Sequence, residues 1–287
     1  GPILAMLIGA VAVYLLFLLI DEAVGRWEAI VVTVAVCFYM ASPVLSASYT
    51  ESTALLIVVL ILMAIRSNRY GWTAVLMLLL ALTRNIVLAM VPVMIAHAVM
   101  AHRSHDEGTH PRRRQVGLVL LIAWTGALTL LWPRIAAYVT GNPKAYEETL
   151  IPWRINATEI KIGEWWGLAY DQFWFVGQVG AVLAVLGYAW FMLSWRSWRW
   201  GPEIWGWAGA YPAYMILVIN SSPSRVRYAL LAFPFALIIA WFLRIKPLER
   251  WRWWLLGGVA VAGIAFQVYW IQHYWVVSTL EGYVLFP

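Results

Sequence analysis

The chain has 287 residues, of which 63% are hydrophobic and 12% charged, whereas a soluble domain carries charge on about a quarter of its residues. A chain this apolar cannot hide its surface in one core, so lipid must be its solvent. The formal charge of +6 lies in short basic runs between apolar segments, which is the pattern that orients membrane proteins and argues for membrane lipids and against nucleic acid as partners.

The sequence opens on Gly1-Pro2 and an apolar run, with no initiator Met and no signal peptide, so this reading allows it to be the C-terminal part of a longer chain. Its single cysteine, Cys37, excludes an internal disulfide. A membrane-spanning helix needs about 20 apolar residues. Ten segments approach that pattern: residues 3–20, 28–44, 52–65, 71–82, 86–101, 116–133, 173–194, 203–220, 228–243 and 253–272. Tryptophan and tyrosine gather near many of their ends, as interfacial anchors do. The expected fold is all-α: a single polytopic transmembrane helical bundle over 1–287 with about ten membrane segments, two of them short, and a longer external loop at 134–172.

The two short segments, 71–82 and 86–101, are separated only by Thr83-Arg84-Asn85. Read as two helices, they place Arg66, Arg69, the Arg103–Arg114 cluster, Arg196, Arg199 and the 244–252 cluster on one side of the membrane; read as one, they split these charges. The positive-inside rule favours two helices, with the basic loops cytoplasmic. The opposite face then carries 46–51, 83–85, 134–172, 221–227 and the tail after His273.

That face holds the residues able to do chemistry. Ser48 and Glu51 have the spacing of a capping box, and Glu51 with Tyr49 would also face an external cavity at a helix start. Arg84 interrupts an apolar run at a cost of roughly 2.5–3.5 kcal/mol at mid-helix, which suits either a snorkelling interface arginine or a clamp on a phosphate. Arg225 and Arg227 run against the positive-inside trend, and the guanidinium fork matches phosphate oxygens. Pro223 between serines favours an extended entry there, in which residues two apart share a face and both reach one phosphate. In 134–172, Glu147, Glu148, Glu159, Glu164 and Asp171 alternate with Trp153, Trp165, Trp166 and Tyr170. Such a mixture fits a sugar-binding wall with a general base, and equally a row of interfacial anchors. His97, His102, His105 and His110 read as part of a solvated cytoplasmic stretch with no metal-site spacing. No Walker or dinucleotide motif occurs, so no cofactor is expected, and no motif requires a metal.

Tyr49-Thr50-Glu51-Ser52 after Ser42-Pro43, then Leu80-Ala81-Leu82-Thr83-Arg84-Asn85, then Ser224-Arg225-Val226-Arg227-Tyr228 before Phe233-Pro234, resemble motifs of the GPI mannosyltransferase II (PIG-V)-like family, across residues 41–243. These are GT-C class membrane glycosyltransferases. The resemblance implies an inverting enzyme that moves a sugar, mannose by family habit, from a polyprenyl-phosphate donor to a lipid-linked or glycan acceptor on the non-cytoplasmic face of a bacterial plasma membrane. Its site residues would be Glu51 and Asp171 as catalytic carboxylates, Arg84, Arg225 and Arg227 on the donor phosphate, and Tyr49, Trp165 and Trp166 on the acceptor or sugar. Of these, only Glu51, Arg84, Arg225 and Arg227 fall on family positions. The family's signature aspartate precedes the matched region, and no counterpart stands before residue 3. A transporter or lipid-glycan flippase, or a non-catalytic membrane partner subunit, is the alternative function.

Overall fold

The computed structural model describes residues 1–103, 111–150, 162–218 and 224–275, and among them it holds helices and no strand. In chain order these are α1 (Pro2–Ala23), α2 (Arg26–Cys37), α3 (Glu51–Arg66), α4 (Tyr70–Thr83), α5 (Met90–Arg103), α6 (Pro111–Leu128), α7 (Leu131–Thr140), α8 (Ala145–Leu150), α9 (Ile162–Leu193), α10 (Trp195–Trp198), α11 (Pro202–Val218), α12 (Ser224–Tyr228), α13 (Phe235–Phe242), α14 (Lys246–Glu249) and α15 (Arg252–Trp270). Short 3₁₀ turns occupy Ser42–Ser46, Val87–Ala89 and Ala229–Leu231.

Among the described residues, three helical stretches are long and apolar enough to cross a membrane: Pro2–Ala23, Phe173–Leu193 and Arg252–His273. The number rises to five if two bent pairs each count as one span. One pair, Gln115–Leu128 with Leu131–Thr140, bends by 44°, and the other, Arg225–Leu231 with Phe235–Phe242, bends by 70°. Of the ten spans expected, the described helices thus account for three to five. Hydropathy counts apolar residues without registering where a helix stops. The apolar stretch 28–44 breaks after Cys37, leaving α2 with 12 residues, or about 18 Å at 1.5 Å per residue. Helices α3 and α11, with 16 and 17 residues, also fall short of about 20. The break between 71–82 and 86–101 is real: α4 stops at Thr83, Arg84 is extended with φ −158° and ψ 135°, and the chain re-enters helix through Val87–Ala89.

Contacts group the chain into two compact units, Gly1–Val59 with Ser222–Pro287, and Leu60–Ser221. In the first unit, α2 packs against α1, α13 and α15. Gly25, at φ 142°, makes the turn between α1 and α2 in a conformation open to glycine. Trp27 and Val31 of α2 form a core with Ala240, Leu243 and Leu256, and the Trp27 indole donates to the Ala240 carbonyl at 3.3 Å. The last carbonyls of a helix have no partner within it. Here Gln267 of α15 supplies one, donating through Nε2 to the carbonyls of Cys37 and Tyr39 at 2.9 and 3.1 Å.

In the second unit, α5 lies against α11 more extensively than against any other helix, and α6 packs on both α4 and α5. The indoles of Trp124 and Trp132 donate to the carbonyls of Ala74 and Ala81, tying α6 and α7 to α4. The stretch 134–172, expected as a loop, is helical in α7, in α8 and from Ile162 onward; residues 151–161, with Trp153 and Glu159, lie outside the described residues. Helix α9 breaks at Trp174, whose φ of 55° and ψ of −150° lie far from helical values.

Candidate functional site

The first unit brings Tyr49, Glu51 and Arg227 together. Helix α3 begins at Glu51, so this residue lies in the first turn and not three residues into it, and the capping box expected from Ser48 does not describe this helix start. A carboxylate in the first turn complements the positive end of the helix dipole. Glu51 has a second partner: its Oε1 stands 3.1 Å from Arg227 Nε, and the residue is only 1% exposed. Ser52 anchors the preceding loop by donating to the Leu45 carbonyl at 2.7 Å.

The extended entry expected for Arg225 and Arg227 is not the conformation adopted. Ser224–Tyr228 is helical, which turns residues two apart by about 200° from each other. Both arginines are nevertheless buried, at 7% and 9% exposure, so one shared face is not what buries them. The carbonyl between them, that of Val226, accepts a hydrogen bond from the Tyr39 hydroxyl at 2.9 Å. Tyr39, itself beside the Gln267 cap, thus holds α12 against the end of α2. Sequence reasoning missed both residues, since each acts through a backbone carbonyl far away in the chain.

The Arg227 guanidinium carbon lies 4.5 Å from the Tyr49 ring centroid and 5.4 Å from that of Tyr228, within cation–π range. Its ion pair with Glu51 is off the hydrogen-bond direction: among the described residues, Arg227 Nε and Nη1 are buried with no hydrogen-bond acceptor. Buried donors of this kind are costly, and each calls for a reason such as an ion. Beside this buried pair, Ser46, Ser48, Tyr49 and Thr50 are exposed. The arrangement is a buried cation, half occupied by a carboxylate, under an open loop, and it suits an oxyanion.

The other expected residues belong to the second unit. Arg84 caps the C-terminal end of α4, where a cation complements the helix dipole, and it is half-buried. The adjoining Asn85 donates to the Tyr146 hydroxyl at 3.0 Å, while its carbonyl accepts from the Tyr214 hydroxyl at 2.5 Å, which fixes the bend after α4. Trp166 and Asp171 lie exposed on α9; the side chain of Trp165 lies outside the described residues. Helical geometry turns Asp171 about 140° from Trp166, so the carboxylate and the ring do not form one wall, whereas Trp166 and Tyr170 share a face.

His97 is the main surprise. Instead of belonging to a solvated stretch it is 5% exposed, its Nδ1 lies 2.5 Å from Oε1 of Glu203 (3% exposed), and its Nε2 is 3.3 Å from the Tyr70 hydroxyl. Arg66 Nη1 approaches the other Glu203 oxygen at 4.0 Å. Among the described residues no group of three or more His, Cys, Asp or Glu could hold a metal. Compared with family models, with curated proteins and with solved structures, the chain matches none.

Proposed function

We propose that the chain is an integral membrane glycosyltransferase that moves a sugar, with mannose as the first candidate, from a polyprenyl-phosphate donor to a lipid-linked or glycan acceptor on the non-cytoplasmic face. The observation that carries this reading is the buried Arg227, whose guanidinium meets one carboxylate poorly and keeps donors for more acceptor oxygens. A lipid-linked donor needs apolar helices for its tail and fixed cations for its phosphate. In the reaction, an acceptor hydroxyl attacks the anomeric carbon and the bond from that carbon to the phosphate oxygen breaks. The polyprenyl phosphate leaves with the electron pair, and the hydroxyl proton passes to a carboxylate. Cations aimed at the leaving phosphate stabilise the charge that develops there.

In this reading Arg227, with Arg225, holds the phosphate. Glu51 is the carboxylate buried against Arg227. The test is transfer from sugar-labelled polyprenyl-phosphate mannose by the purified full chain in nanodiscs, with membrane lipid extract as acceptor source. Wild type should release polyprenyl phosphate, and Arg227→Gln should weaken donor affinity about tenfold or more. No donor binding by the wild type would sink the reading.

A second reading draws on the 70° bend between Arg225–Leu231 and Phe235–Phe242, a broken-helix shape that transporters use at their sites. A flippase would move a fluorescent lipid-linked sugar across proteoliposomes with its sugar bond intact, which separates the two functions in one assay.

A further inference from the structure

Arg227 is buried, yet its one carboxylate partner is poorly aligned. Glu51 Oε1 sits 3.1 Å from Nε without lying along the N–H direction, and Nη1 has no acceptor among the described residues. A guanidinium can give five N–H bonds in a planar fork, and a carboxylate seated for strength takes two parallel ones. Glu51 does not sit that way. Its own place is in the first turn of the 16-residue α3, where the helix dipole stabilises its charge whether or not it touches Arg227. Tyr49, two residues earlier, lays its ring on the same guanidinium at 4.5 Å, so the ion pair and the nearer ring contact of Arg227 both come from the short run that starts α3. The rest of that run, residues 46–50, is largely exposed.

We propose that Glu51 is a resident anion: it occupies Arg227 while the site is empty, and the phosphate of a polyprenyl phosphate, with or without its sugar, displaces it, so that phosphate binding shifts the Tyr49–Glu51 segment and the start of α3. The inference rests on the donor-phosphate reading above and adds regulation to it. The phosphate offers two free oxygens while it carries the sugar, and three once the sugar has left, to the donors that Glu51 leaves unused, while the displaced carboxylate keeps its favourable place at the helix start. The contact is autoinhibitory, because the protein's own carboxylate competes with the ligand.

The consequence is opposite to that of an ordinary supporting residue. Deleting the Glu51 charge should tighten phosphate binding, whereas a residue that merely orients Arg227 would weaken binding when lost. The test uses the full chain in nanodiscs, with farnesyl phosphate and inorganic phosphate as separate probes, and reads affinity together with the rise in melting temperature that each probe produces. Glu51→Gln should bind farnesyl phosphate about tenfold tighter than wild type and gain more melting temperature from it, and Arg227→Gln should lose binding. Tightening with farnesyl phosphate alone identifies a lipid headgroup site, and tightening with both probes identifies a site for free phosphate as well; either supports the exchange. If Glu51→Gln folds only when phosphate is present, the added anion has replaced the carboxylate, which also supports it. If Glu51→Gln does not fold under any condition, Glu51→Asp, whose carboxylate is one methylene shorter, decides: tighter binding supports the proposal and unchanged or weaker binding overturns it. Weaker or unchanged binding in a folded Glu51→Gln overturns the resident-anion role while wild-type binding leaves the donor-phosphate reading standing. Absence of binding in both wild type and Glu51→Gln removes both.

Discussion

His97 and Glu203 stand 106 residues apart in sequence and meet as a buried pair between α5 and α11. Burying a carboxylate is expensive unless hydrogen bonds and opposite charge compensate it. Here an imidazole N–H supplies the first and Arg66, at 4.0 Å, supplies the second. Removing the carboxylate therefore strands His97 and part of the Arg66 charge. Glu203→Ala should destabilise the protein by about 3–5 kcal/mol, the cost of breaking a buried pair. Glu203→Gln, whose side-chain carbonyl can still accept from His97, should lose less, about 1.5–3 kcal/mol, the range for a hydrogen bond to a charged group. Melting temperatures in nanodiscs should follow the order wild type, Gln, Ala, and an unchanged value for Glu203→Ala would show the pair to be energetically idle. Sequence could not reveal this pair. His97 ends an apolar run beside three other histidines, and Glu203 opens another helix; nothing local links them, because what pairs them is the packing of α5 on α11.

Helices are held in this protein as much by backbone approach as by side chains. On α15, a Cβ added to Gly263 would fall 2.1 Å from the Phe38 carbonyl oxygen and 2.8 Å from Phe38 Cβ. A backbone oxygen cannot move aside as a flexible side chain would, so Gly263→Ala must lift α15 off the end of α2 and loosen the Gln267 cap. Overpacking of this kind costs about 1–3 kcal/mol, and more where backbone is the obstacle. On the same helix, a Cβ at Gly257 or Gly258 meets nothing within 4 Å among the described residues. Alanine there should be neutral or stabilising by up to about 1 kcal/mol through helix propensity. Three single variants in thermal unfolding thus predict opposite signs along one helix, and a Gly263→Ala protein as stable as Gly258→Ala would refute the close approach. At this scale the sequence was partly legible. The break at Thr83-Arg84-Asn85 could be read from flanking charge, because a polar interruption between apolar runs leaves a mark. The helical state of 162–172 and of 224–228 could not, because aromatics, carboxylates and Pro-Ser pairs fit a loop as well as a helix until packing decides.

Among the described residues, three stretches have the length and hydropathy to cross a membrane, and apolar side chains on them such as Ile3, Leu186 and Val261 are more than half exposed. That much follows from composition, since a 20-residue apolar run leaves few other choices. The remaining apolar segments are interrupted by bends, 3₁₀ turns and short helices at places set by tertiary contacts, such as the end of α2 beneath Gly263. The orientation of the chain is still a matter of charge, and α3 tests it best. Its ends carry Glu51 on one side and Arg66 with Arg69 on the other, and Ser48 and Ser67 beside them are both exposed. At 16 residues α3 is about 24 Å long, shorter than the roughly 30 Å hydrocarbon core, so crossing requires local thinning or protein around its ends. The positive-inside rule places Ser67 in the cytoplasm and Ser48 outside. Cys37 is exposed and must first be replaced, for example by serine. In that background, Ser48→Cys should react with a membrane-impermeant maleimide in intact cells, and Ser67→Cys only after permeabilisation. The reverse pattern would invert the orientation and put the Glu51–Arg227 pair on the cytoplasmic side, against the proposed non-cytoplasmic reaction. Labelling of both in intact cells would mean that α3 does not cross, and the charge-based topology of the segments around it would fall with it.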